Sequence, residues 1–263
     1  MTLNIQQIPA KSGRPVNTQP PILKVDRLFK SFGSNKVLVN FSMEISEGEN
    51  VVVLGKSGSG KSVLIKCIIG LLTPDSGSIK IFGSDIGQLD DHQLDETRSK
   101  IGFLFQSNAL YDSMTVRENL EFPLRRHWIK LSQEEVDRMV IKALEDVNLA
   151  QTIDMMPGEL SGGMRKRIAL ARTLILKPKI ILYDEPTTGL DPITAREIID
   201  LMIEIHKKYN TSSLVITHDM NCVKLAADRI IMLINGKCHA TGTYEELKAL
   251  TDPQIKEFFR HES

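Results

Sequence analysis

Residues 55–62 carry the residue types that bind phosphate groups. They read Gly-Lys-Ser-Gly-Ser-Gly-Lys-Ser, and they lie between an apolar run that ends at Leu54 and a stretch with helical spacing that begins at Val63. Glycines let backbone N–H groups turn toward phosphate oxygens, and a helix that starts there adds the partial positive charge of its N-terminus. In a loop of this pattern Lys61 reaches the outer phosphates, and the Ser62 hydroxyl binds Mg²⁺. The sequence therefore predicts a phosphate loop at residues 55–62.

Asp184 and Glu185 are a pair of carboxylates that end a second apolar run, which begins at Ile180. Ligands of open α/β sheets bind beyond the carboxyl ends of the strands, so both side chains are placed to act on a bound phosphate. Asp184 would hold Mg²⁺, directly or through water. Glu185 would accept a proton from the attacking water, or orient that water. On its own, the pair could also simply open the loop before Pro186.

Two further polar side chains follow short apolar runs. Gln106 follows residues 101–105, and its neutral amide could bridge Mg²⁺ or the attacking water to a mobile segment. His218 follows residues 214–217, and its imidazole could hydrogen-bond the γ-phosphate and the attacking water. Each has a plainer explanation, a surface glutamine after a strand and a capping or core histidine.

Residues 160–164, Leu-Ser-Gly-Gly-Met, form what we call the signature segment. Ser161 is placed to cap the helix that follows, while Gly162 and Gly163 leave backbone amides bare. A helix start of this kind is a good clamp for a phosphate, although an ordinary capped helix would look the same. Asp191 precedes a proline, which suits the cap of another helix.

The apolar runs alternate with helical stretches, which predicts parallel strands joined by crossover helices. Asn235-Gly236 is a strong hairpin signal and predicts an antiparallel pair at the edge of the sheet. Helix starts are predicted by capping boxes and by acid–proline pairs. The capping boxes are Ser132 with Glu135 and Thr243 with Glu246, and the acid–proline pairs are Asp191-Pro192 and Asp252-Pro253.

Three segments are predicted along the chain. Residues 1–21 are rich in proline and poor in large apolar residues, which predicts a flexible tail. Residues 22–251 form one α/β domain, into which a helical subdomain is inserted at about residues 107–171. Residues 252–263 form a C-terminal helical extension, which could pack on its own chain or reach a second subunit.

Composition narrows the classes of protein that this chain can belong to. Lys plus Arg and Asp plus Glu both number 33 in 263 residues, and a zero net charge argues against a nucleic-acid coat. The three cysteines match neither a metal site nor a disulfide framework. We find no stretch of about 18 apolar residues and no signal peptide, so we expect a cytoplasmic chain that needs a separate partner to work at a membrane.

Taken in this order, the phosphate loop, Gln106, the signature segment, the carboxylate pair and His218 resemble the nucleotide-binding subunit of an ABC transporter. The resemblance implies an α/β fold: a P-loop NTPase core of the ABC type with an N-terminal antiparallel β-subdomain and an inserted α-helical subdomain. It implies ATP and Mg²⁺ as cofactors, with Ser62, Gln106 and Asp184 toward the metal. It also implies catalytic roles for Glu185, His218, Gln106 and Lys61.

The same resemblance implies which residues bind nucleotide. They are Phe32, Gly55, Lys56, Ser57, Gly58, Ser59, Gly60, Lys61, Ser62, Val63, Ser161, Gly162, Gly163 and Asp191. Phe32 would stack on adenine, with Phe29 as its rival. In the family the signature segment acts on ATP that is held by the other subunit, so two identical chains pair head to tail. Asp191 matches the loop that links the two sites.

Finer markers resemble the MlaF-like ATPases of Mla/Mce lipid-transport systems. These markers are residues 103–125, Met164 at the end of the signature segment, residues 191–194 and residues 252–258. The resemblance implies a peripheral ATPase on the cytoplasmic face of the inner membrane that drives transport of phospholipid or another hydrophobic lipid. Its partners would be a membrane permease subunit, an Mce-domain lipid-binding protein and, in some systems, a STAS-domain regulatory subunit.

Two other functions remain open at this stage. An importer of polar solutes such as amino acids shares every catalytic motif, so only residues 103–125 and the identity of the partners distinguish it. A soluble ABC protein of DNA repair or translation usually carries two cassettes or a long coiled-coil insertion. The single cassette and short insertion of this chain disfavour that class, and no nucleic-acid partner is expected.

Overall fold

The computed structural model describes residues 20–125 and 130–260. The strands are β1 (Leu23–Phe32), β2 (Asn35–Ile45), β3 (Asn50–Leu54), β4 (Ser76–Ile81), β5 (Ser84–Asp85), β6 (Ile101–Leu104), β7 (Ile180–Asp184), β8 (Ser212–Thr217), β9 (Arg229–Ile234) and β10 (Lys237–Gly242). The α-helices are α1 (Lys61–Ile68), α2 (Asp91–Ser99), α3 (Val116–Glu121), α4 (Gln133–Glu145), α5 (Gly162–Leu174), α6 (Pro192–Tyr209), α7 (Met220–Ala226), α8 (Tyr244–Lys248) and α9 (Pro253–Phe259).

The chain divides into two compact units. The first unit comprises residues 1–97 and 212–263, and the second comprises residues 98–211. The tail predicted at residues 1–21 lies outside the described residues except for its last two, and so do the last three residues of the predicted extension. The domain boundaries given above therefore stay a prediction. Within the described ranges, no helix is long and apolar enough to cross a membrane.

The first unit contains an antiparallel sheet in the order β2-β1-β4-β5. Its strands alternate buried and exposed positions, the pattern of a sheet that covers a core with one face. Leu28, Phe41 and Ile45 are completely buried on that face. The structure thus confirms the antiparallel β-subdomain expected near the N-terminus.

The first unit also holds the strands of an α/β core. β3 pairs in parallel with β8 and with β9, and β10 pairs antiparallel with β9. Every residue of β3 and β8 is buried, as expected for strands covered on both faces. The hairpin predicted at Asn235-Gly236 is confirmed, since both residues have positive φ, 51° and 72°. A side chain at Gly236 would lie 2.4 Å from the Val37 carbonyl oxygen, so only glycine fits there.

The second unit contains the parallel pair β6 and β7 and the helices α3 to α6. Its described residues between 107 and 171 form helices and loops and include no strand, as expected from their patterning. Helix α6 buries an apolar stripe at Ile198, Met202 and Ile205, which recur at the spacing of an amphipathic helix. The predicted starts of α4, α6, α8 and α9 are confirmed, because each has its side-chain cap.

Asn119, on α3, shapes the loop that precedes this helix. Its side chain is completely buried; its amide nitrogen donates to the carbonyl oxygens of Tyr111, Met114 and Thr115, and its carbonyl accepts from the Tyr111 backbone N–H. A buried amide that satisfies its donors and acceptor in this way fixes one loop conformation. The exposed ring of Tyr111 is thereby held in contact with Phe122, with ring centroids 4.7 Å apart.

Asp146 joins the C-terminal ends of α4 and α6. Its carboxylate accepts hydrogen bonds from Lys208 at 2.7 Å and from the Tyr209 hydroxyl, and it pairs with Lys142 at 3.0 Å. Burial alone would raise the pKa of the Asp146 carboxyl, but the bonds from Lys208, Tyr209 and Lys142 outweigh it and lower that pKa. Burial, with the bond to Asp146, raises the pKa of Tyr209 to about 12.

Candidate functional site

The phosphate loop connects β3 to α1 in the first unit, as its sequence predicts. Gly60, at φ 103°, occupies the N-cap of α1 and has no side chain to satisfy the first-turn N–H groups. A side chain at Gly55 would lie 2.5 Å from the Ser59 Oγ, whereas no described heavy atom lies within 4 Å of the side-chain position at Gly58. The loop is therefore tightly packed at Gly55 and open at Gly58, where its backbone amides can bind an anion.

Lys61 begins α1 and extends back along the loop. Its side chain is buried, and its ammonium donates to the carbonyl oxygens of Gly55 at 2.7 Å and Lys56 at 3.1 Å. These carbonyls hold the cation at the mouth of the loop. The ammonium and the helix N-terminus together place positive charge where phosphates would bind.

His218 lies at the same edge of the sheet as the phosphate loop. It follows β8, and the parallel register pairs Leu54 with Thr217, the last residues of β3 and β8. Asp219 then caps α7 by accepting from the Asn221 N–H at 2.9 Å. The structure thus brings together the phosphate loop and His218, as the sequence predicts for groups beyond the carboxyl ends of parallel strands.

A cavity of about 400 Å³ borders the phosphate loop within the first unit. Its walls come from the start of β2, the loop itself, the hairpin between β9 and β10, and the C-terminal helix α9. Lys56 of the loop forms an ion pair with Glu257 of α9 at 2.6 Å. The sequence did not predict that α9 lies beside the phosphate loop, and only the structure shows that α9 forms a wall of this cavity.

Phe32 and Phe29, the two rivals for adenine stacking, lie on β1. Both are exposed, Phe32 to 48% and Phe29 to 37%, so neither is a core residue. The Lys30 ammonium lies 5.4 Å from the centroid of the Phe32 ring. An exposed aromatic ring offers the face that stacking needs, and Phe32 presents the more open of the two.

In the second unit, Gln106 and the carboxylate pair follow adjacent parallel strands. The register pairs Leu104 with Tyr183. Gln106, Asp184 and Glu185 follow these two residues in the chain, so they lie at the same edge of the sheet. Asp184 and Glu185 are both buried. Glu185 has a left-handed backbone with φ 49°, which is uncommon for a residue with a side chain and often marks functional sites.

The signature segment forms the start of α5, also in the second unit. Ser161 caps the helix, since its hydroxyl accepts from the Met164 N–H at 3.2 Å. A side chain at Gly163 would lie 2.6 Å from the Thr194 Cγ2 of α6, and one at Gly162 would lie 3.8 Å from Leu190. The helix start therefore packs on the loop that carries Asp191, and Gly163 is required by this close approach.

Asp191 caps α6, as predicted. Its carboxylate accepts from the backbone N–H groups of Ile193 and Thr194, both at 3.0 Å, and from the Thr194 hydroxyl at 2.6 Å. The hydroxyl bond of Thr194 is the main cause that lowers the pKa of the Asp191 carboxyl. The local role is thus confirmed, and a role in linking two nucleotide sites stays a prediction.

Lys166, on α5, was not among the predicted site residues. Its side chain is only 2% exposed, and its ammonium donates to the Gln106 backbone carbonyl at 2.9 Å. Burial lowers the pKa of Lys166 to about 8, and the Asp184 carboxylate acts in the opposite direction. Nothing in the sequence distinguishes Lys166 from its basic neighbours Arg165 and Arg167, so only the structure could reveal it.

The donor types present fit a magnesium-bound nucleotide. The Ser62 hydroxyl, the Gln106 amide and the Asp184 carboxylate are oxygen donors, which Mg²⁺ prefers, and Mg²⁺ completes its shell with phosphates and water. No cluster of three or more His, Cys, Asp or Glu suited to a metal occurs in the part of the chain that the structure describes.

Comparisons with known proteins agree with this geometry. The family model described as ABC transporter matches residues 38–188. The Mkl protein of Mycobacterium leprae, named a probable ribonucleotide transport ATP-binding protein, is 40% identical over 90% of this chain and 68% of its own length. MlaF of Haemophilus influenzae, the ATP-binding protein of an intermembrane phospholipid transport system, is 36% identical over 92% of this chain and 91% of its own.

A solved structure gives the same result for the fold. The ATP-binding cassette MJ0796, a dimer in a post-hydrolysis state bound to ADP and Pi, superposes with a TM-score of 0.76 and 34% identity, over 84% of this chain and 98% of that one. The fold and the site define a P-loop ATPase of the α/β class. The chain belongs to the ABC transporter family and is the ATP-binding, ATP-hydrolysing subunit of such a transporter.

Proposed function

We propose that this ATPase drives the transport of phospholipid or another hydrophobic lipid, in a system of the Mla/Mce type. The observation that carries the proposal is the similarity to MlaF, which extends over nearly the whole of both chains. The name of Mkl points to ribonucleotides instead, and that name favours a polar solute. A polar-solute importer is therefore the second candidate, and the identity of the partners distinguishes the two.

Within this proposal the residues of the first unit bind the nucleotide. Phe32 stacks on adenine, the amides of the phosphate loop and Val63 hold the phosphates, and Lys61 neutralises their outer charge. His218 hydrogen-bonds the γ-phosphate. The open space at Gly58 and the glycine N-cap of α1 support this assignment.

The residues of the second unit supply the chemistry of hydrolysis. Asp184 and Gln106 would be ligands of Mg²⁺, and so would Ser62 of the phosphate loop; the metal would neutralise charge that develops on the phosphates. Glu185 orients the attacking water and takes its proton. Its burial and its fixed left-handed backbone support that role, because a general base must keep one direction toward the water.

The signature segment acts on a second copy of the chain. Ser161, Gly162 and Gly163 bind the γ-phosphate that the partner's phosphate loop holds, and Asp191 links the two sites. The head-to-tail dimer rests beneath a membrane permease subunit, peripheral to the cytoplasmic face of the inner membrane. An Mce-domain lipid-binding protein and, in some systems, a STAS-domain regulator complete the complex.

The test is a purification of the complex from its native membranes. The full chain with Glu185→Gln and an N-terminal tag is isolated in detergent with ATP and Mg²⁺, and the proteins that come with it are identified by mass spectrometry. The same chain that also carries Lys61→Ala serves as the control, because it should lose the nucleotide that holds the dimer.

Each outcome decides between the candidates. A permease with an Mce-domain protein supports lipid transport. A permease with a solute-binding protein overturns the lipid proposal in favour of import. No membrane protein in either sample would contradict the role as a transporter subunit.

A further inference from the structure

Lys166 is a buried cation that the proposed mechanism does not use. It lies on α5, about one turn after the helix start at Gly162, and its side chain is almost fully removed from solvent. Burying an ammonium is costly unless it is hydrogen-bonded and faces negative charge. Here it donates to the carbonyl oxygen of Gln106 at 2.9 Å, and the charge of the Asp184 carboxylate partly offsets the lowering of the Lys166 pKa by burial.

The same helix holds the loop after β6 at further points. Arg172 donates to the carbonyl oxygens of Ala109 at 2.8 Å and Asn108 at 3.3 Å, and the Thr173 hydroxyl donates to the carbonyl oxygen of Phe103 at 3.2 Å. Asn108 and Ala109 both have positive φ, 66° and 52°. A left-handed alanine is unfavourable, so the loop keeps this course because α5 holds its carbonyls.

Of these contacts, only the bond from Lys166 falls on Gln106 itself. The ammonium is hydrogen-bonded to the backbone of one proposed metal ligand, and the carboxylate of the other favours its charged form. Removing it would leave the Gln106 carbonyl without its charged donor and free the backbone that aims the Gln106 side chain. Arg172 and Thr173 would still hold the loop on either side.

We propose that Lys166 is a positioning residue that fixes Gln106 in register with Asp184 for Mg²⁺ binding. The inference rests on the proposed role of Gln106 and Asp184 as metal ligands. It adds that the helix which begins with the signature segment also sets the geometry of the metal ligands in its own unit.

The test measures how much Mg²⁺ tightens ATP binding, in the full chain with Glu185→Gln so that no ATP is consumed. The Kd for ATP is determined by calorimetry with and without Mg²⁺, for Gln106→Ala, for Lys166→Met and for the double variant. Methionine keeps the unbranched apolar stem of lysine and lacks its ammonium. Lys166→Arg retains the cation, and Lys207→Met removes an exposed lysine from α6 of the same unit as the matched control.

We expect Lys166→Met to reduce the gain in affinity from Mg²⁺ about tenfold, the size of one charge-assisted hydrogen bond. Affinity without Mg²⁺ should stay within about twofold, because the phosphate loop keeps its own contacts. The double variant should match Gln106→Ala alone. Lys166→Arg should recover most of the loss, and Lys207→Met should behave as the parent.

The opposite results overturn the inference. A loss from Lys166→Met that adds fully to that of Gln106→Ala would show that Lys166 does not act through Gln106. An equal loss with and without Mg²⁺, or a loss that Lys166→Arg does not restore, would indicate general damage. A Gln106→Ala variant with an unchanged Mg²⁺ gain would instead contradict the proposed metal-binding role of Gln106, and with it the basis for the inference.

Discussion

The side-chain chemistry of Glu185 can be predicted from the sequence, whereas its backbone conformation cannot. The acid type and its place after an apolar strand are readable from the sequence, and they predict a group that acts on water. Its left-handed backbone is not readable, because such a conformation is signalled by glycine or asparagine and Glu185 is neither. The thirteen-residue helix α5 likewise hides Lys166 among other basic residues, since burial is set by packing that no local pattern reports.

Replacing Glu185 by glutamine tests its role without changing its size. We expect Glu185→Gln to slow ATP hydrolysis at least about 100-fold, because the amide cannot take the proton from water. ATP binding should persist, and the ATP-bound variant should elute as a dimer in size-exclusion chromatography. Phosphate release and the elution profile are the measurements. Glu204→Gln, an exposed position on α6, is the control, and hydrolysis near the wild-type rate in Glu185→Gln would refute the assignment.

Helices and strands were predictable to different degrees, for physical reasons. Helix starts follow from local hydrogen bonds, so the boxes at Ser132 and Thr243 were correctly predicted. The same pattern, Thr115 with Glu118, also caps α3, which is not among the predicted helix starts. Strand β4 begins with Ser-Gly-Ser, so its pairing with β1 had no local signal and depends on the apolar residues that it covers.

The contact between α5 and α6 gives a prediction at the scale of elements. Gly163→Ala would place a methyl group 2.6 Å from the Thr194 Cγ2, so the two helix starts must move apart. We expect ATP hydrolysis to fall about tenfold or more while the thermal midpoint drops by only a few degrees. Thr194→Ser in the same chain removes that methyl and keeps the hydroxyl that bonds Asp191.

Rescue is the decisive measurement for this contact. The double variant Gly163→Ala, Thr194→Ser should regain most of the lost activity, whereas Thr194→Ser alone should remain close to wild type. If Gly163→Ala is inactive with either residue at position 194, the requirement for glycine comes from something other than this packing, such as direct approach of a phosphate.

At the scale of the whole molecule, positive and negative side chains are equal in number, and their ion pairs differ in how far they are exposed to solvent. Exposed ion pairs such as Arg196 with Asp200 contribute little. Asp146 differs, because its side chain is 4% exposed and it receives two ammonium groups and a phenol. No sequence pattern pairs residue 146 with residues 208 and 209, so this contact could not be predicted.

Asp146→Ala should lower the free energy of unfolding by about 2 kcal/mol, typical of lost hydrogen bonds to a charged group. The pKa of Asp146 is lowered in the folded state relative to about 3.9 when unfolded. Its contribution is therefore complete above about pH 5 and is lost as the pH falls through the folded pKa. Urea unfolding at pH 7 and in acid should show the difference between variant and wild type shrinking in acid, while exposed Asp154→Ala shows none. A difference that does not change with pH would contradict the ionic origin.

The wall that α9 gives to the cavity beside the phosphate loop matters for how this protein should be handled. The cavity is lined on this side by Gln254, Glu257 and Phe258, and Glu257 forms an ion pair with Lys56 of the loop. A purification tag or fluorescent protein attached shortly after α9 would begin only a few residues from this wall. Nucleotide affinities measured on such a fusion would report the label as well as the ATPase, so labels belong at the other end of the chain.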